Sequence, residues 1–216
     1  MLKTERRTLT APMEIRTASD GTEYIEAYAL KFNRESDNLG WMTPVYEKID
    51  SRALDDADMD NVVALFNHDS NLVLGRNTVA SGKGSVTLET DGIGLKWRCT
   101  PTDTSYSRDL MENMRSGVIN QCSFAFSLAE GEDAEEWSYN KDRGAYERTI
   151  KRIGTLYDVS VVTTPAYPDT EAVLSQRSKD KLKTLDEERN LAESVKETKP
   201  DQRFFDYLKI LQSTEV

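Results

Sequence analysis

Histidine and cysteine are scarce in this sequence, and the scarcity removes several chemistries at once. There is one histidine, His68, so any reaction that needs an imidazole has a single candidate. The two cysteines, Cys99 and Cys122, form no CxxC pair and stand beside no histidine cluster, which argues against a zinc site and fits a reducing compartment. Basic residues are outnumbered, 28 against 38 acidic, and a net charge of -10 gives a surface that repels phosphate backbones and disfavours nucleic acid as a partner. No apolar run approaches the roughly 20 residues a membrane span needs. The opening MLKTERRTLTAPMEIRT lacks the hydrophobic core of a secretory signal. The expectation is a soluble, intracellular protein.

A chain of 216 residues suffices for one substantial core with an appendage. The first half reads as strands and turns. EYIEAYALKF alternates loosely, and DNVVALFNHD and NLVLGR are short apolar runs that stop at polar or glycine punctuation. GSVTLETDGIGLKWRC is a hairpin: Val86 and Leu88 face one way, Asp91-Gly92 turns the chain, and Leu95, Trp97 and Cys99 return on alternate positions. SRALDDAD predicts one or two helical turns begun by Asp50 or Ser51. TDTSYSRDLMENMRSG predicts a helix with Tyr106, Leu110 and Met114 on one face and Gly117 as its stop. Strand VINQCSFAFSL follows, then an acidic stretch, AEGEDAEEWSYNKDRGAY, expected as an exposed excursion or flap. ERTIKRIG and TLYDVSVVTT resume strand character. From Ser178 the composition turns to charged, helix-favouring residues, giving domains of 1–177 and a helical tail of 178–216.

NQCSFAFSLAE carries a cysteine and a serine side by side. With a strand's two-residue period, Cys122, Phe124, Phe126 and Leu128 share one face, and Gln121, Ser123, Ala125 and Ser127 share the other. The cysteine therefore belongs in the core, where an apolar setting makes a thiol inert. Ser123 falls on a face of small residues with room for another molecule to approach. A serine hydroxyl needs a hydrogen-bonded base to become a nucleophile. His68, at the end of a strand-like run, is the available imidazole. A third group is wanted to orient the ring. Asp158 interrupts the apolar strand TLYDVSVV on the same face as Ser160, where an acid is disfavoured without a partner. Asp69 is the weaker competitor, because neighbours in an extended chain point apart. Each residue also has a structural reading: Ser123 as a plain strand serine, His68 as a loop histidine, Asp158 as a partner of Arg152 or Lys151.

The order of VVALFNHDSNLVLGR, DGIGL, MRSGVIN, CSFAF and LYDVSVVTTPAYPDTEA resembles the prohead maturation proteases of tailed bacteriophages, over residues 20 to 175. The resemblance implies the fold these share with herpesvirus assembly proteases: mainly β, a compact, mostly antiparallel β-barrel flanked by a few helices. It implies a serine endopeptidase that cleaves capsid and scaffold polypeptides inside the immature head, in the cytoplasm of the bacterial host. His68 of the NHD motif would then be the base, Ser123 the nucleophile and Asp158 the third member. The herpesvirus relatives use a second histidine there, which this chain lacks. Ala125 stands where the phage motif commonly has glycine. The loop TTPAYPDT would supply the oxyanion hole through Thr163, Thr164 or Ala166, since Pro165 and Pro168 have no N–H to donate. No metal or cofactor is implied, and a homodimer is compatible with this reading. Two rivals are a catalytically inactive capsid-binding or scaffolding module on the same fold, and a Cys122–His68 nucleophile.

Overall fold

The computed structural model describes residues 4–9, 13–40, 43–163 and 176–197. The chain divides into two compact units, Met1–Ser175 and Gln176–Val216. In the first, strands make three sheets. The five-stranded sheet runs β1 (Glu5–Leu9), β9 (Gln121–Leu128), β12 (Ile153–Val162), β5 (Val63–Phe66) and β6 (Asp69–Arg76). All its pairings are antiparallel except that of β12 with β5. The four-stranded sheet runs β2 (Glu14–Thr17), β3 (Glu23–Lys31), β8 (Gly94–Cys99) and β7 (Val86–Thr90). The third runs β10 (Glu135–Asn140), β11 (Ala145–Ile150) and β4 (Val45–Ile49), with β11 and β4 parallel.

Among the described residues the protein is thus mainly β with two α-helices, but the sheets stay open and no ring of pairing closes the expected barrel. The core lies between sheet faces. Trp97, Leu95, Ile25 and Leu30 from one sheet meet Phe124, Phe126, Val159 and Val161 from another.

The hairpin of β7 and β8 follows its alternation: Val86 pairs with Cys99 and Leu88 with Trp97. Its connection spans Asp91 to Gly94, closed by the Asp91 carboxylate, which accepts from the N–H groups of Ile93 and Gly94 at 2.7 and 3.0 Å. Helix α1 (Ser105–Arg115) starts on Thr104, whose side chain accepts from the Ser107 N–H, and ends with Gly117 at φ 72°. Leu110 is buried, and Tyr106 and Met114 pack on the core beside it.

Two segments depart from expectation. SRALDDAD makes successive turns, Ala53 N–H to Asp50 and Asp55 N–H to Arg52, without joining into a helix. The acidic stretch is not a loose excursion. After a 3-10 turn at Glu132–Ala134 it forms the β10–β11 hairpin, with Ala134, Ala145 and Tyr146 buried. Some of its acids are partnered: Glu135 accepts from Arg148, and Asp133 pairs with Arg152. Strands β1, β2 and β4 carry no sequence signal strong enough to expect them.

In the second unit, α2 (Gln176–Glu197) is charged and largely exposed, held by local pairs such as Arg189 with Asp186 at 3.1 Å. Among the described residues, no helix is long and apolar enough to cross a membrane.

Candidate active site

Three strands and one turn build the site. Phe66 pairs with Asp69, leaving Asn67 and His68 as the two-residue tip of the β5–β6 hairpin, with φ values of 54° and 56°. A type I′ two-residue turn, whose twist matches the strands, needs positive φ at both positions, which asparagine tolerates well for a residue with a side chain and histidine less well. The tip is tied to β12: the Asn67 N–H donates to the Val161 carbonyl at 2.8 Å, and the Asn67 side-chain oxygen accepts from the Thr163 N–H at 2.9 Å. Held this way, the His68 ring lies over the neighbouring strands.

On those strands the register sets Ser160 opposite Ser123 and Asp158 opposite Ala125, so all four share one face. His68 bridges two of them. Its Nδ1 is 2.6 Å from Asp158 Oδ1, and its Nε2 is 2.6 Å from Ser123 Oγ. A carboxylate only accepts, so the proton of the neutral ring sits on Nδ1. Nε2 then carries the lone pair and accepts the Ser123 hydroxyl. The arrangement is a hydroxyl, a ring and an acid in one hydrogen-bonded line, able to draw a proton off the alcohol.

A second acceptor faces the same hydroxyl: the Arg7 carbonyl of β1, 3.0 Å from Ser123 Oγ. The Ser123 proton has two destinations, and when the ring is protonated at Nε2 the Arg7 carbonyl takes it. Ser160 Oγ is 2.7 Å from Asp158 Oδ1 and 3.2 Å from His68 Nδ1.

The site is largely shielded from water, with side-chain exposures of 8% for His68 and 10% for Asp158. Ser123 itself is 1% exposed, so its face is not open as the alternation suggested. Small residues there admit close packing instead, and Tyr157 reaches across to donate to Ser127 at 3.2 Å. Asp69, Arg152 and Lys151 are engaged elsewhere. Asp69 turns away to accept from Asn71, Arg152 pairs with Asp133, and Lys151 pairs with Asp50 and Glu136. Cys122 lies in the core, where burial pushes its thiol up to about 12.

The Thr163 N–H, expected as an oxyanion donor, is engaged by Asn67; Thr164 and Ala166 lie outside the described residues. Sequence patterning assigned no role to Asn67 or the Arg7 carbonyl, and placed Ser160 beside Asp158 without one. The adjacent asparagine in NHD was the one available signal, since Asn favours the left-handed turn. Among the described residues no group of three or more His, Cys, Asp or Glu could hold a metal ion.

No curated protein matches the chain. Among solved structures, the capsid assembly protease gp21 of bacteriophage T4 is similar, at 15% identity over 76% of this chain and 98% of that one, with a TM-score of 0.49. The family model described as caudovirus prohead serine protease matches residues 11–185, a span that includes Ser123, His68 and Asp158. The chain belongs to the family of caudovirus prohead serine proteases.

Proposed function

We propose that the chain is a serine endopeptidase whose nucleophile is Ser123, whose general base is His68 and whose orienting acid is Asp158. The observation that carries this is the unbroken line from Ser123 Oγ through both nitrogens of His68 to Asp158 Oδ1, with 2.6 Å at each link. In acylation, Ser123 Oγ bonds to the scissile carbonyl carbon as its proton passes to His68 Nε2. The imidazolium then returns that proton to the departing amine, and the C–N bond breaks. Asp158 holds Nδ1–H throughout and stabilises the charged ring. Water, deprotonated by His68, hydrolyses the acyl-enzyme and restores Ser123. The negative oxygen of each tetrahedral intermediate needs N–H donors; the proposed donors, Thr164 and Ala166, lie outside the described residues.

The substrates proposed are the capsid and scaffold polypeptides of the immature phage head in the host cytoplasm, in keeping with the family. Confinement with substrate tails in one shell raises effective concentration, so tight binding is unnecessary. The charged C-terminal segment fits a docking element that brings the enzyme into the shell and is removed by its own active site.

A fluorophosphonate probe tests the assignment. It should label the wild-type protein on Ser123, found by peptide mass, and fail on Ser123→Ala and His68→Ala variants that fold. Failure to label the wild type would favour an inactive capsid-binding module.

A further inference from the structure

Ser160 has no part in the steps above, yet it is fully buried and its hydroxyl contacts two of the three groups. It stands in register opposite Ser123, on the site face of β12. Its Oγ is 2.7 Å from Asp158 Oδ1, the same oxygen that takes the His68 Nδ1–H at 2.6 Å. Since a carboxylate oxygen only accepts, the Ser160 proton points to Asp158, and its oxygen lone pairs turn toward Nδ1–H, 3.2 Å away.

We infer that Ser160 is a positioning residue that fixes the rotation of the Asp158 carboxylate and, through it, the tautomer of His68. This rests on the proposed roles of Ser123, His68 and Asp158. The reason lies in torsional softness. The terminal torsion of an aspartate is broad and roughly two-fold, so packing alone sets it weakly. Two donors converging on Oδ1 define it. With Ser160 at zero exposure, bulk water does not replace a lost hydroxyl at that spot. Without that donor the carboxylate swings, Nδ1–H loses its aligned acceptor, and the ring populates the tautomer with the proton on Nε2. That form cannot accept the Ser123 proton.

The test uses Ser160→Ala and Ser160→Cys in the full chain. Cysteine restores most of the volume but is a weak donor. A fluorophosphonate probe gives the maximal labelling rate and the half-saturating concentration separately. One hydrogen bond to a charged group corresponds to roughly a 10- to 100-fold change in rate. Both variants should lose about that factor in maximal rate with half-saturation unchanged. Because the chain has one imidazole, ring nitrogen NMR reads His68 without assignment; both variants should shift from the Nδ1–H pattern toward the Nε2–H pattern. Rates within twofold of wild type with unchanged ring signals would overturn the inference, as would loss in the alanine variant alone, which would indicate packing. Labelling that survives in Ser123→Ala would instead bring down the underlying assignment.

Discussion

Arg7 of β1 meets Glu47 of β4 through two bonds, Nε to Oε1 at 2.7 Å and Nη2 to Oε2 at 2.8 Å, both buried. Arg148 of β11 adds to the cluster, bonding Glu47 at 2.6 Å, Glu5 at 2.8 Å and Glu135 at 2.7 Å. Burial opposes charge on Arg148, but Glu47 and Glu5 outweigh it and hold the guanidinium above its ordinary value. The register pairs Arg7 with Phe124 and Glu5 with Phe126, so the network lies on the face of β9 opposite Ser123. It fastens β1, whose Arg7 carbonyl faces the nucleophile. Removing one member of a buried ion network leaves charge uncompensated, at about 3–5 kcal/mol. Arg148→Met should therefore lower the unfolding free energy by about that amount, measured by denaturant titration.

Asn67→Ala should cost about 1–3 kcal/mol. Alanine at φ 54° meets the left-handed penalty of about 1–2 kcal/mol, and the bond to the Thr163 N–H is lost. Probe labelling should slow as well, because the turn carrying His68 loses its side-chain anchor. A variant as stable and as reactive as wild type would show that the tip needs no such anchor.

The thiols should be inert in the folded protein. Burial pushes both Cys99 and Cys122 up to about 12, so thiolate is negligible at pH 8. Iodoacetamide should modify neither until denaturant is added, and labelling of Ser123 should survive the treatment. Activity lost in step with Cys122 alkylation would point to the thiol as nucleophile.

Acid should weaken the four-stranded sheet through Glu26. Burial disfavours its charge, but Arg98, then Lys96, outweigh this and hold the carboxyl below its ordinary value. A carboxyl lowered in the folded state contributes stability above the ordinary carboxylate range and loses it as pH falls through the lower folded value. Arg98 and Arg16 are half exposed, so screening limits the contribution to roughly 1 kcal/mol. Glu26→Gln should be less stable than wild type at pH 7, the difference shrinking below about pH 4; a gap constant with pH would exclude this carboxylate as the cause.

How much of this was written in the sequence depends on the range of the interaction. Two-residue periodicity placed Ser123 on the polar face of β9 and Asp158 on the face of Ser160, and the chain holds a single histidine, but these left structural readings open; the meeting of the three side chains takes tertiary register. The hairpin of β7 and β8 and helix α1 were legible because turn and cap residues act locally. The ion network was not. ERRTL reads as a solvated run, and only tertiary register brings Arg7 to Glu47, 40 positions away. The same reason hid β10: EEWSYN looks acidic and exposed until Arg148 is placed against Glu135. Alternation also showed which side of β9 is polar without showing that the side is covered. Sheet closure, which depends on edge pairing between distant strands, was beyond local pattern altogether.

The charged C-terminal segment gives a prediction on self-processing. Wild-type protein incubated at high concentration should lose mass from that end, while Ser123→Ala stays intact. Equal intact masses would remove self-cleavage from the account.

Cleavage of capsid protein by Ser123 is decided by co-expressing the chain with the capsid protein of its own phage, wild type against Ser123→Ala, and reading new termini by mass spectrometry. Defined capsid termini are expected with the wild type and none with the variant. The same termini appearing with Ser123→Ala would contradict Ser123 as the nucleophile.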